Sequence, residues 1–262
     1  MDAGAAFKAG KLAEALSKQT ELVKTHPADQ SKRLFLFELL AFSGQWDRAA
    51  RQADAIRYEE VELETAAQGY RKLVESELRR QQWWQAGKAP EFFSPPTAAT
   101  KLRLEAANLI RGGKPQEAAG LLAQAAGQEP AIAGTLNDKP FTALRDCDDL
   151  WGPVIEVMAH GSYYWVPLEQ VDTISVTRPK FPRDLLWLPA LLSIKDGPAG
   201  NVFLPGLYPG SSEHPDDQVK LGRLTDWLGE DGNPVLGVGQ HTYLVDEEPI
   251  GLWEWEQLTM AS

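Results

Sequence analysis

The chain is poor in the residues from which most metal and redox sites are made. Of its 262 residues one is cysteine, Cys147, and four are histidine. A lone thiol excludes an intramolecular disulfide and any multi-cysteine zinc site. His26, His160, His214 and His241 fall in separate segments, without the spacing of a zincin or an EF-hand loop, so no metal and no other cofactor is expected. Positive charge is short as well: 26 Lys and Arg against 37 Asp and Glu leave a formal net charge of −11. Such a field repels phosphate backbones and anionic lipid surfaces, so nucleic acid is not an expected partner. No apolar run reaches the roughly 18 residues of a membrane span. The opening MDAGAAFKAGKLAEAL lacks a basic region followed by an apolar one. The expected location is cytoplasmic, without membrane insertion.

What is present divides the chain in two. Gly10, Gly44 and Gly113 are each followed five residues later by alanine, in GKLAEA, GQWDRA and GKPQEA. The first two glycines are 34 residues apart and the second and third 69 apart, close to one and two periods of a tetratricopeptide helix pair. Pro27 and Pro130 stand 17 residues after the first and third glycines, where the second helix of such a unit ends. Glycine permits the turn of a helical hairpin, and a small alanine lets the two helices approach. Val61 to Ala86 has helical periodicity without the glycine signature, a degenerate unit, and GKAPEFFSPP then interrupts the array. From Trp151 onward, glycine and proline punctuate short β-branched and aromatic runs, and KDGPAGN between two of them signals a hairpin. The expected fold class is α+β: a tetratricopeptide-like helical repeat domain over residues 1–145, then a small β-rich, barrel-like domain over residues 150–262.

Five ordered segments carry a resemblance that spans nearly the whole chain: HPADQSKRLFLFELLAFSGQWDRA, FTALRDCDDLWGPVIEVMAHGSYYWVPLEQV, RDLLWLPA, LPGLYPGSSEHPDDQVKLGRLTDW and GVGQHTYLV. Together they resemble the ImpE/TagJ accessory proteins of bacterial type VI secretion systems. KDGPAGNV and EEPIGLWEWEQL are less typical of that family. The resemblance implies a non-enzymatic adaptor that binds the small subunit of the contractile sheath and is associated with the AAA+ ATPase that disassembles it. It supplies no catalytic residues.

A different class of function is conceivable in LYPGSSEHPDD. His214 with Asp216 or Asp217, and Ser211 or Ser212 as nucleophile, would make a hydrolase, and the same histidine and acids a metal-dependent enzyme. The competing expectation is that Pro209 and Gly210 turn the chain and an acid or serine caps a following helix. RDCDD, Arg145 to Asp149, is expected to be a solvated linker, with the Cys147 thiolate disfavoured by its acidic neighbours. GVGQHT lacks the last glycine of a dinucleotide fingerprint, and GGKPQE has proline where a P-loop has Ser or Thr. Trp46 falls within the helical repeat, and Trp83 and Trp84, adjacent on one helix, point about 100 degrees apart. All three are the candidate partner-binding residues, because tryptophan is enriched at interaction hot spots. The net charge favours a basic target at long range, with apolar anchors setting affinity.

Overall fold

A computed structural model of the chain describes residues 1–229 and 232–261. The helical half comprises α1 (Ala3–Lys8), α2 (Leu12–Thr25), α3 (Gln30–Phe42), α4 (Trp46–Ala55), α5 (Val61–Ala86), α6 (Ala98–Arg111) and α7 (Pro115–Ala126). Helices α1 and α2, α3 and α4, and α6 and α7 pack as sequential pairs. The turns between them hold Gly10, Gly44 and Gly113 at φ of +75°, +65° and +72°, backbone that glycine adopts without steric cost. The alanines of the repeat, Ala15, Ala49 and Ala118, are completely buried. The stretch without a repeat glycine is one continuous 26-residue helix, α5, closed by Gly87 in the left-handed region. With no turn-former to divide it, α5 runs about 39 Å at 1.5 Å per residue.

Strands begin earlier than the sequence punctuation suggests. They are β1 (Gly134–Leu136), β2 (Lys139–Phe141), β3 (Leu144–Asp146), β4 (Val154–Ala159), β5 (Ser162–Pro167), β6 (Val171–Val176), β7 (Trp187–Ile194), β8 (Ala199–Pro205), β9 (Asp226–Leu228), β10 (Leu236–Val238), β11 (Thr242–Val245), β12 (Glu248–Gly251) and β13 (Gln257–Met260). Two short helices, α8 (Pro182–Leu186) and α9 (Asp217–Lys220), interrupt them. β1, β2 and most of β3 thus lie within the span assigned to the helical domain, because runs of three residues carry little alternating signal. Eight strands form one antiparallel sheet in the order β2-β1-β13-β6-β7-β8-β4-β5, beside sheets β12-β11-β3 and β10-β9. KDGPAGN is the β7–β8 hairpin connection, as its composition predicts.

The barrel expectation is corrected here: the large sheet is open. Its terminal strands β2 and β5 do not meet. The outer edge of β5 is instead taken by Glu91, whose N–H donates to the Tyr163 carbonyl at 2.9 Å and whose carbonyl accepts from Trp165 N–H at 3.1 Å. The loop after α5 therefore protects an edge that closure would otherwise have removed. Phe93 from that loop stacks on Tyr164 with centroids 4.4 Å apart.

β4 is buried on both faces, which separates two cores. Val154 and Met158 point to a core shared with the helices, together with Trp83, Trp151, Tyr163, Trp165 and Trp187. Ile155 and Val157 point the other way, into a core enclosed by the curled sheet with Leu188, Leu204, Tyr243, Trp255 and Leu258. The period-2 alternation of a strand places each residue on its face. Glu156 follows the same rule and lies on the helix side, a carboxylate among aromatic rings.

Candidate functional site

The three candidate tryptophans separate. Trp83 is 2% exposed and sits 5.0 Å from Trp165 and 5.2 Å from Trp151, ring centroid to centroid. It is a core residue: the α5 stripe that faces the sheet runs through Leu73, Glu77, Arg80 and Trp83. Trp84 is half-buried, its indole edge beside Gly210, and its carbonyl accepts from Arg111 Nε at 2.8 Å. Trp46, at the first position of α4, is half-buried and lines an open groove of about 500 Å³ between α4 and α5. Its inner face rests on Trp187 at 6.2 Å, tying the groove to the sheet.

The groove is polar for its size. α4 and the turn before it contribute Gln45, Trp46, Asp47, Arg48 and Arg51, and α5 contributes Leu78, Gln81, Gln82 and Gln85. Arg48 donates to the Gln45 side-chain carbonyl. Arg51 forms no ion pair among the described residues, although the chain as a whole is acidic. The groove is concave and exposed, as a docking surface requires, although Gln81 donates to Glu77 at 2.8 Å and Gln82 accepts from Lys88 at 3.1 Å.

On the opposite face of α5 lies a buried ionic junction that sequence reasoning missed. Arg80 grips Glu156 with Nε and Nη2 at 2.6 and 2.7 Å, and Nη2 also donates to the Leu207 carbonyl at 2.7 Å. Glu156 further accepts from Tyr163 Oη at 2.6 Å and pairs with His241 Nε2 at 3.0 Å. His241 Nδ1 lies 2.8 Å from Asp146, which also accepts from Tyr208 Oη at 2.5 Å. Glu77, one turn before Arg80, accepts from Trp187 Nε1 at 3.0 Å. Burial disfavours the Glu156 carboxylate, but Arg80 outweighs it and holds the pKa down at about 2. Burial likewise opposes the His241 imidazolium, and the Asp146 and Glu156 carboxylates override it, raising its pKa. Burial raises the carboxyl of Asp146 against His241, so this pair retains its proton to higher pH than either group would alone.

RDCDD is accordingly no solvated linker. Asp146 and Asp148 are 0% and 3% exposed. Asp148 accepts from Leu150 N–H at 2.7 Å and Gly237 N–H at 2.8 Å, fixing β10 against the turn. Its pKa is pushed up to about 8 by burial and then by Asp146. Burial and Asp146 also lift the Cys147 thiol to about 11, which leaves it protonated and unreactive at neutral pH. Asp146 at the end of β3 and Asp148 in the turn after it stand two residues apart, and both point inward. A signal was available: Glu156 interrupts the apolar run VIEVMA at a position that alternation directs into the core.

The loop from Phe203 to Trp227 clamps the two halves of the chain together. Gly210 turns the chain at φ +81° and Asp216 caps α9 through Gln218 N–H at 2.7 Å. Asp217 reaches across to α2, which has no cap of its own, and accepts from Leu12 N–H at 2.8 Å. Ser211 Oγ donates to the Tyr208 carbonyl at 2.6 Å and accepts from Gly239 N–H at 2.8 Å. His214 lies 3.3 Å from Asp226 and accepts from Asp216 N–H at 3.1 Å. Of the residues proposed for hydrolysis, Ser211, His214, Asp216 and Asp217 are thus engaged with backbone groups, and among the described residues no group of three His, Cys, Asp or Glu side chains is placed to bind a metal. Ser212 and Gln218 press on Gly44 and Gly10, where an added Cβ would come within 2.4 and 2.0 Å of their side chains. Two of the repeat glycines therefore serve the docking of the C-terminal half as well as their own turns. Among the described residues, no helix is long and apolar enough to cross a membrane.

Fold and site together define an α+β protein whose helical half is locked to an open curled sheet through buried charge and presents a groove on its outer side. Residues 138–259 match the ImpE protein family. The chain is 34% identical over 252 residues to the type VI secretion system accessory component TagJ of Pseudomonas aeruginosa, covering 96% of this chain and 88% of that protein. A crystal structure of a Vibrio parahaemolyticus protein superposes with a TM-score of 0.90 at 25% identity, over 99% of this chain and 97% of that one. The chain belongs to the ImpE/TagJ family of type VI secretion accessory proteins.

Proposed function

We propose that the protein is a non-enzymatic, cytoplasmic adaptor of a type VI secretion system, whose tetratricopeptide-like helical half binds a helix of the small contractile-sheath subunit and which is associated with the AAA+ ATPase that disassembles the sheath. Family membership supports the system. The observation that carries the binding mode is the α4–α5 groove with Trp46 at its floor, since a groove between paired helices accepts an amphipathic helix. The metal-enzyme and hydrolase reading of His214, Asp216 and Asp217 loses ground, because Asp216 and Asp217 cap helices and His214 braces their loop.

The test is binding of the purified small sheath subunit to the wild type and to Trp46→Ala, with circular dichroism as the fold control. Loss of an anchoring aromatic is expected to cost about 2 kcal/mol, roughly thirtyfold in affinity. Affinity unchanged in Trp46→Ala removes the groove from the site. Undiminished binding by Trp84→Ala is expected, since Trp84 faces the Gly210 turn and not the groove.

A further inference from the structure

We infer that the α4–α5 groove selects a helix bearing carboxylates one turn apart on its polar flank, read by Arg48 and Arg51; this rests on the groove being the docking site proposed above. The whole-chain charge of −11 points toward a basic partner, but the groove has the opposite local sign. Its charged lining is Arg48, Arg51 and Asp47. Both arginines are exposed, and neither is paired with an acid among the described residues. Two exposed arginines on one groove wall, without acidic partners among the described residues, leave that wall open to carboxylates from a ligand.

Geometry sets the spacing. Arg48 and Arg51 are three residues apart on α4, hence about 4.5 Å apart along its axis and on the same face. A helix laid along α4 matches that step with acids at i and i+3 or i+4. Guanidinium is the side chain best suited to grip carboxylates, with two parallel N–H donors. Across the groove, Gln81, Gln82 and Gln85 on α5 offer amide donors and acceptors without charge, so they accommodate polar groups but do not repay an added lysine. The apolar floor is small, Trp46 and Leu78, room for one bulky anchor residue. The ligand motif is therefore a single large apolar residue flanked by two acids on a helix.

The experiment uses the full chain and three synthetic helical peptides of identical apolar face, carrying a Glu, Gln or Lys pair at i, i+4, with affinity read by fluorescence anisotropy. The purified small sheath subunit is run in parallel. The Glu peptide is expected to bind about tenfold tighter than the Gln peptide, with the Lys peptide weakest, and the advantage is expected to shrink as salt is raised. Arg48→Glu/Arg51→Glu, at exposed positions that leave the fold intact by circular dichroism, is expected to invert that order. Equal affinities for the three peptides, or an order unchanged in the double variant, overturn the inference. If the sheath subunit binds the wild type and the double variant alike, acid selection fails while the adaptor reading survives. If the Glu peptide shows the arginine-dependent preference and the sheath subunit does not bind, acid selection stands and the partner assignment falls.

Discussion

The two faces of α5 are a few ångströms apart and follow opposite rules. On the inner face Glu77, Arg80 and Trp83 are buried, and Arg80 meets Glu156, His241 and Asp146 through a continuous set of ionic hydrogen bonds. On the outer face Leu78, Gln81, Gln82 and Gln85 line a groove, where Gln81 donates back to Glu77 at 2.8 Å, Gln82 accepts from Lys88 at 3.1 Å and Gln85 is unengaged among the described residues. Charge sealed from water holds the two halves in one register, because a buried ion without its partner is costly. Uncharged amides and rim arginines keep their contact with water and remain available to a ligand. The same helix is thus a structural beam on one side and one wall of a docking surface on the other.

The contrast breaks most sharply at Arg80. Arg80→Ala strands the Glu156 carboxylate and the Leu207 carbonyl in the junction, and the expected loss is about 3–5 kcal/mol, the range for removing one partner of a buried pair. Urea denaturation monitored by tryptophan fluorescence measures it. A loss below about 1 kcal/mol would mean that water reaches the junction and that the inner face is not sealed.

pH tests the same face without mutation. The folded pKa of Asp148 lies near 8 and that of His241 is raised, so both hold protons in the folded state that the unfolded chain releases. Stability is therefore expected to fall as pH rises, over about 4 to 8 for Asp148 and from 6.5 upward for His241. Glu156 acts at the other end: its pKa is lowered from 4.5 to about 2, so its contribution is present above 4.5 and lost as pH falls toward 2. Asp148→Asn is expected to flatten the slope over about pH 4 to 8, read from urea midpoints across the series. An unchanged slope would assign the dependence to groups other than Asp148.

A smaller effect is expected at the clamp. Asp217→Ala removes the acceptor that caps α2 from the other half of the chain, at about 1 kcal/mol, the usual worth of an N-cap. Native-state hydrogen exchange at Leu12 and Ala13 is expected to quicken in this variant. Unaltered exchange there would show that α2 does not depend on the loop for its start.

How much of this was legible in the sequence follows from which signals are local. The helical pairs were readable because turn glycines and crossing alanines recur at a fixed period, and each is dictated by its own hairpin. The open sheet was not, because closure depends on whether β2 and β5 meet, a property of register and edge protection spread over residues 87–167. The buried junction was hidden for a related reason. Arg80, Glu156 and His241 lie 76 and 85 residues apart along the chain, and only the fold reveals that they meet. Each alone reads as a surface residue, and Asp146 and Asp148 read as part of an acidic linker. Trp83 and Trp84 show the limit of a local rule: helical geometry establishes that they diverge, but the identity of the buried one is decided by the sheet that packs against α5.

The smallest expected effect sharpens the comparison from its outer side. Gln85→Ala, in the groove, removes an amide that no described residue engages, and surface substitutions of this kind fall within about 0.5 kcal/mol. Alanine is also the better helix former, so the change in stability is expected to be near zero or slightly favourable. If the groove is a docking surface, the same substitution should weaken the Glu peptide only slightly, because an uncharged amide at the wall contributes less than the arginines opposite. A destabilisation comparable to Arg80→Ala would show that the outer face carries structural load, and the division of α5 into a locked face and an available one would fail.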